Sequence, residues 1–451
     1  MRWNVKFTKH TSLTPCGLNT ILIKSFSSNT WEAIILDKRI ETVLEEVKTS
    51  LGLKQFVLHT HSLSLSKEMS AFGGFDILLT ADWLPPAAKA PKGDDILPDG
   101  SVSTRYSLRY QQLQNASTQG EQSFADPIAA NEEEFLTWMQ QQTGFGSGNT
   151  IVLTNRTRNG IDGDVMHQQI PVQSDGFLEL QWDESGRLLE CILPILGTNK
   201  FEEGPFSMTL EAIEPLVRQQ LTAVRLPIED EARFSDYYAI DEVFVAQDGM
   251  VLPYYPEEQS AHYPRQVLQW KTSSSLQFDK MSLQPFSSEV SSEEAFAILN
   301  HPKNFLTEDA VKLCIQSATE FLSAKLPKES GEWEVYRVMQ QPGNIEVVCR
   351  KLGEIGGPLR REILIMLSKD TYEVMNFMDS TELEHLFEGF TQPRVKTVSQ
   401  EEAFEKMISY ITLEPRYVYH QLSGTYKLCG LLDAEECVDA VTGELKLLND
   451  L

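Results

Sequence analysis

The chain of 451 residues is about three times the length of a common single domain, and 41% of its residues are hydrophobic, so it can build folded cores and is not a disordered protein. Lys and Arg number 39 against 65 Asp and Glu, and the resulting net charge of −26 opposes binding to nucleic acids or to anionic membranes. No run of about eighteen apolar residues is present, so no transmembrane helix is expected.

The N-terminal segment and the cysteines indicate the compartment. The apolar stretch Leu18–Ile23 is interrupted by polar residues and is too short for the core of a signal peptide. The six cysteines are scattered without the spacing of a zinc site or a disulfide framework. We therefore expect a cytoplasmic protein with no metal site and no cofactor.

The predicted elements fall into five successive units, each with one helix before several strands. A helical stripe in Trp31–Leu51 precedes the strands Phe56–Leu65 and Phe75–Leu84, and later helices are predicted near Thr209–Ala223 and Thr307–Leu326. The predicted modules span residues 1–122, 123–205, 206–288, 289–392 and 393–451. Because helices are too few for a crossover after every strand, we predict antiparallel sheets and an α+β fold of tandem helix-on-sheet modules.

A short repeat supports duplication. The sequence SSEEAF at residues 291–296 recurs as SQEEAF at 399–404. In both copies a Ser is followed three residues later by a Glu, which is the capping box of a helix N-terminus. Asn131 is expected to cap a third helix in a looser copy of the pattern. We therefore expect helices to begin at Ser291 and Ser399.

The C-terminal stretch resembles a known family. The segments SQEEA at 399–403, LEPRYVY at 413–419, YKL at 426–428 and VDAVTGE at 438–444 resemble the repeat of bacterial YcdB/YcdC-like proteins. The ending VDAVTGEL is similar to the close of a PepSY-type domain, a small module of a helix on a sheet. The Ser291 unit and residues 31–117 show a looser similarity. PepSY modules have been proposed to bind or inhibit peptidases, and no catalytic residues belong to the motif.

An acidic, tyrosine-rich stretch is the best candidate for a binding surface. Residues 201–258 hold thirteen acidic and three basic residues, a net charge of −10. Tyrosine rings can supply contact area while carboxylates select a basic peptide, although core packing and a solvated face are the alternative interpretation. The residues predicted for this surface are Tyr237, Tyr238, Asp241, Glu242, Tyr254 and Tyr255.

These features favour a non-enzymatic binding or regulatory protein that engages a peptide or protein through its sheet faces or edges. One alternative is a hydrolase whose site uses His59, His61 and carboxylates of residues 201–258. His59 and His61 lie two apart on a predicted strand and so share a face, but a metal site would also need Glu68 or Asp76 from the next hairpin. A structural or assembly protein is the other alternative.

Overall fold

The computed structural model contains four antiparallel β-sheets with helices packed on them. It describes residues 37–69, 72, 74–91, 96–120, 137–139, 149–174, 177–185, 187–271, 288–300, 306–357 and 360–451. Strands make up 42% of these residues and helices 22%. The predicted Asn131 cap lies outside the described residues.

Sheet I contains nine strands in the order β1-β2-β3-β4-β9-β8-β6-β5, with β7 paired to β6. Its strands are β1 (Val57–Met69), β2 (Phe75–Leu84), β3 (Val102–Ser107), β4 (Gln112–Thr118), β5 (Asn149–Arg156), β6 (Gly160–His167), β7 (Ile170–Pro171), β8 (Leu178–Trp182) and β9 (Leu188–Ile192). The β4–β9 pairing joins residues from the first two predicted modules. These two modules therefore share one sheet.

Two helices bury their apolar faces against sheet I. Helix α1 (Lys38–Ser50) contributes Ile40, Leu44 and Val47 to the core, at the spacing of one helical face. The helix that follows Ser291 contributes Ala295 to the same core, and the backbone of residues 288–290 pairs with the edge of β1. The first SSEEAF helix therefore belongs to sheet I.

Sheet IV is a five-stranded meander covered by a long helix. Its strands are β14 (Gln266–Leu268), β15 (Trp333–Gln340), β16 (Ile345–Lys351), β17 (Glu362–Leu367) and β18 (Val374–Asp379), in that order. Between β14 and β15 the chain forms α3 (Ser292–Asn300), the sheet I helix, and then α4 (Glu308–Lys325). Trp333 on the sheet and Phe321 on α4 lie in the common core, with 0% and 2% exposure. The predicted helix at Thr307–Leu326 is confirmed.

Sheets II and III are interleaved between two distant parts of the chain. The first part forms α2 (Glu214–Gln220), β10 (Leu221–Ile228), β11 (Arg233–Ile240), β12 (Val243–Ala246) and β13 (Val251–Pro253). The second part repeats this order with α5 (Gln400–Met407), β19 (Thr412–His420), β20 (Thr425–Asp433), β21 (Glu436–Asp439) and β22 (Leu445–Leu447). Sheet II has the order β10-β11-β21-β22 and sheet III the order β13-β12-β20-β19. Sheet II thus joins the β10–β11 hairpin of the first part to the β21–β22 hairpin of the second. Sheet III joins the β12–β13 hairpin of the first part to the β19–β20 hairpin of the second.

The two halves of this interleaved domain share a core. Val217 of α2, Phe404 of α5, Val245 of β12 and Val438 of β21 belong to one buried cluster. The Ser399 capping box forms, since the Ser399 Oγ accepts from the Glu402 N–H while the Glu402 carboxylate accepts from the Ser399 N–H. Neither half can bury its apolar face without the other.

The neighbouring sheets contact this domain through the backbone. The Gln173 N–H donates to the Tyr417 carbonyl at 2.8 Å, which joins sheet I to β19. The Arg225 N–H donates to the Gly356 carbonyl at 2.7 Å, which joins β10 to the β16–β17 loop of sheet IV. Gly357 in this loop has φ +120°, and a Cβ there would lie 2.2 Å from the Arg225 carbonyl oxygen. The close approach requires glycine.

The predicted α+β fold of tandem helix-on-sheet modules is wrong, because the fold is mainly antiparallel β and its sheets run across the predicted module boundaries. Helices α2 and α5 are only about two turns long. The predicted Thr209–Ala223 helix is α-helical only at Glu214–Gln220, with a 3₁₀ turn at Glu211–Ile213 and strand β10 from Leu221. The hairpins of the third and fifth predicted units pair with each other. A local sequence pattern identifies hairpins but does not determine the partner of each one.

Candidate functional site

The structure divides the six residues predicted for the binding surface into two groups. Tyr237 and Tyr238 lie on β11, the inner strand between β10 and β21, and are 0% and 8% exposed. Their side chains belong to two different core clusters, one on each face of sheet II. The Tyr238 hydroxyl donates to the Val398 carbonyl at 3.0 Å. These two tyrosines are core residues and cannot form a recognition surface.

The other four residues lie near the connection between β11 and β12 and the end of the following hairpin. Asp241 and Glu242 form the two-residue connection, and the Asp241 N–H donates to the Gln220 carbonyl at 2.9 Å. The β12–β13 hairpin turns at Asp248-Gly249, where the Asp248 carboxylate accepts from the Met250 N–H at 3.0 Å. The turn reverses the chain, so that Tyr254 follows the last paired residues of β13 beside Glu242.

The two tyrosines after β13 are partly accessible. The Tyr254 ring stacks on buried Phe244 with a centroid distance of 5.6 Å and remains 36% exposed. Tyr255 is half-buried and meets Tyr254 edge to face at 5.4 Å. Phe244 therefore holds Tyr254 from one side and leaves part of its ring open to a partner.

The C-terminal half of the interleaved domain adds two charged residues that sequence reasoning missed. Val243 of β12 pairs with Leu432 of β20, so Glu242, which precedes β12, lies next to Asp433, the last residue of β20. Burial and then the negative charge of Asp433 raise the pKa of Glu242 to about 7, and Arg416 partly offsets these effects. Burial and Glu242 also raise the pKa of Tyr254. We call Asp241, Glu242, Tyr254, Tyr255, Arg416 and Asp433 the acidic–aromatic cluster.

The chemistry of the acidic–aromatic cluster favours a cation. It holds three carboxylates and one guanidinium, and the Arg416 Nε is buried without a hydrogen-bond partner among the described residues. A lysine or arginine side chain placed here would gain charge attraction from Glu242 and Asp433 and contact with the Tyr254 ring. The pairing of β12 with β20 places Asp433 beside Glu242, so no local signal could have identified Asp433.

Among the side chains that the structure describes, which do not include that of Glu68, the histidine pair of the alternative interpretation gains no further ligands. His59 lies at a β-bulge of β1, and His61 pairs with Ala81 on β2. Asp76 lies opposite the far end of β1, more than four residues along the strand, which is about 13 Å or more from His61. Within the described ranges, no three His, Cys, Asp or Glu side chains are grouped so that they could hold a metal ion.

Comparison with known proteins adds no identification. No family model matches the sequence, and no curated protein or solved structure matches it. In the part of the chain that the structure describes, no helix is long and apolar enough to cross a membrane.

Proposed function

We propose that this is a non-enzymatic binding or regulatory protein that recognises a basic segment of a peptide or protein at the acidic–aromatic cluster. The observation that carries the proposal is the placement of Glu242 beside Asp433 next to the partly exposed ring of Tyr254. Two carboxylates at adjoining strand positions repel each other, and a bound cation would remove that repulsion. The occupant we infer is therefore a lysine or arginine side chain.

Two further features support a peptide or protein as the partner. The cluster lies at the end of paired strands, where a chain with several side chains can contact the exposed part of the Tyr254 ring and the carboxylates beside it. The similarity of VDAVTGEL at residues 438–445 to the close of a PepSY-type domain favours the same class of function, since such domains have been proposed to bind or inhibit peptidases.

The test is binding of a short Lys- and Arg-rich peptide, measured by fluorescence anisotropy against a Glu-substituted peptide of equal length. The double variant Glu242→Gln/Asp433→Asn should weaken binding about tenfold or more, since charge-assisted contacts of this kind are lost. The matched control is Glu229→Gln/Asp230→Asn, which removes two negative charges in the β10–β11 turn, at the opposite end of β11.

The Glu229→Gln/Asp230→Asn control distinguishes binding at one site from general attraction of the basic peptide to a chain of net charge −26. The proposal predicts that the control variant stays within about twofold of the wild type. Equal weakening by both double variants, or no preference for the basic peptide, would contradict it.

A further inference from the structure

Three arginines, Arg265, Arg350 and Arg360, lie on the side of sheet IV opposite α4. Glu334 pairs with Arg350 across β15 and β16, and Arg350 pairs with Glu362 across β16 and β17, so the three side chains form one row on this face. The Arg350 Nε donates to the Glu362 carboxylate. Arg265 and Arg360 both approach the Glu334 carboxylate, at 3.8 Å and 4.0 Å.

The backbone is irregular at two positions next to this row of side chains, and two of the arginines contact one tyrosine, Tyr336. Tyr336 lies at a β-bulge, where the register between β15 and β16 shifts between Val335 and Arg337. Arg265 has φ +51°, a left-handed conformation that is costly for a residue with a side chain. The guanidinium carbons of Arg350 and Arg265 lie 3.2 Å and 4.0 Å from the Tyr336 ring centroid. Two guanidinium groups therefore contact the same tyrosine ring.

The guanidinium groups are poorly satisfied by the protein itself. Three guanidiniums face two carboxylates, and the Arg350 Nε donation to Glu362 is their one direct hydrogen bond to a carboxylate of the described residues. The Arg360 Nε is buried and has no hydrogen-bond partner among these residues. Each guanidinium offers five N–H donors in a fork that fits two oxygens of one anion.

Around Tyr336 the positive charges are in excess. Three guanidiniums, those of Arg265, Arg350 and Arg360, lie near the two carboxylates of Glu334 and Glu362, whereas the whole sequence has a net charge of −26. Burial, followed by the positive charge of Arg350, lowers the pKa of Arg360. Crowding of like charges on a partly buried surface is unfavourable unless a negative group comes between them.

We propose that Arg265, Arg350 and Arg360 form an oxyanion site around Tyr336, which takes the phosphate or carboxylate group of a ligand. Arg265 and Arg360 would turn from their long contacts with Glu334 to donate to the anion. Glu334 competes with the anion for the same two guanidiniums. The site is independent of the acidic–aromatic cluster, whose carboxylates recognise a cation.

The test adds inorganic phosphate to the full chain. Binding is measured by calorimetry and by the NMR signals of the arginine side chains. Sodium chloride of equal ionic strength is the reference. Arg360→Gln and Arg265→Asn should each weaken phosphate binding about tenfold or more. Asparagine is chosen because it tolerates the left-handed conformation of residue 265. Glu334→Gln should strengthen binding, because it removes the competing carboxylate.

Arg361→Gln is the matched control. Arg361 is the chain neighbour of Arg360, but it lies over the Trp333 ring on the α4 side and pairs with Glu329 at 3.8 Å. We expect this variant to bind phosphate as the wild type does. A parallel titration with acetate separates the two oxyanions, since a phosphate site favours phosphate and a carboxylate site favours acetate.

Saturable binding that is lost in Arg360→Gln and increased in Glu334→Gln supports the site. The proposal is overturned if neither anion binds above the chloride reference, or if Arg361→Gln weakens binding as much as Arg360→Gln. It is also overturned if Glu334→Gln leaves the affinity unchanged or lower, because the arginines would then serve only to hold the sheet together.

Discussion

The substitution Glu242→Gln should stabilise the interleaved domain at neutral and higher pH. The pKa of Glu242 is raised from 4.5 to about 7 in the folded protein, because burial and Asp433 both disfavour its charged form. Between these two values the folded protein holds more protons than the unfolded chain, so its stability falls as the pH rises. Glutamine resembles the protonated side chain and does not acquire the charge.

The magnitude follows from the same values. A pKa of about 7 in place of 4.5 sets an upper limit of about 3.4 kcal/mol for the loss of stability above pH 7. Glu242 is half-buried, and screening by solvent reduces this to about 1–2 kcal/mol. Below about pH 4.5 the variant and the wild type should have nearly the same free energy of unfolding.

The assay compares both proteins by urea unfolding and by hydrogen exchange of the β12 and β20 amides at about pH 4.5, 6 and 8. Glu229→Gln, on the exposed β10–β11 turn, should change the free energy of unfolding by less than about 0.5 kcal/mol throughout. The reasoning is refuted if Glu242→Gln gives the same difference at all three pH values, or if it destabilises the protein at pH 8.

Three further substitutions test the packing, and a fourth, Gly353→Ala, is a control. Gly357→Ala should lower the free energy of unfolding by about 2 kcal/mol or more, because its Cβ would overlap the β10 backbone. Gly353→Ala should lower it less, because no atom lies within 4 Å of the added Cβ. Thermal unfolding measures both variants. Ser399→Ala should cost about 1 kcal/mol through loss of the capping box, as measured by urea unfolding. Phe404→Ala should lower the free energy of unfolding by about 3–5 kcal/mol. It should also accelerate hydrogen exchange in β12, over 150 residues earlier in the sequence, because Phe404 and β12 share one core. Exchange in β12 as slow as in the wild type would contradict the interleaving.

Features set by neighbouring residues could be predicted from the sequence. The Ser291 and Ser399 capping boxes form as expected, since each involves residues only three apart. The Asp248-Gly249 turn and the long α4 helix are likewise encoded locally. Such short-range signals specify helix starts and turns, and they account for much of the element order.

Features set by pairing between distant segments could not be predicted in this way. The predicted modules assumed that each sheet forms from consecutive strands, but β12 pairs with β20 and β11 with β21. Residues of the C-terminal half, such as Phe404 and Leu448, pack on the two faces of β11, which explains why Tyr237 and Tyr238 are buried. The pairing of β12 with β20 also places Asp433 beside Glu242. The tertiary partner of a strand, and not its own sequence, decides whether its side chains are core or surface.

The central claim is that a basic segment binds at Glu242 and Asp433, and proton release on binding tests it most directly. A cation beside Glu242 lowers its pKa from about 7, so binding of the Lys- and Arg-rich peptide at pH 7 should release about half a proton, measured by calorimetry in buffers of different ionisation enthalpy. In Glu242→Gln this release should disappear and the affinity should fall. Binding with no proton release by the wild type, or with equal release by the variant, would contradict the claim.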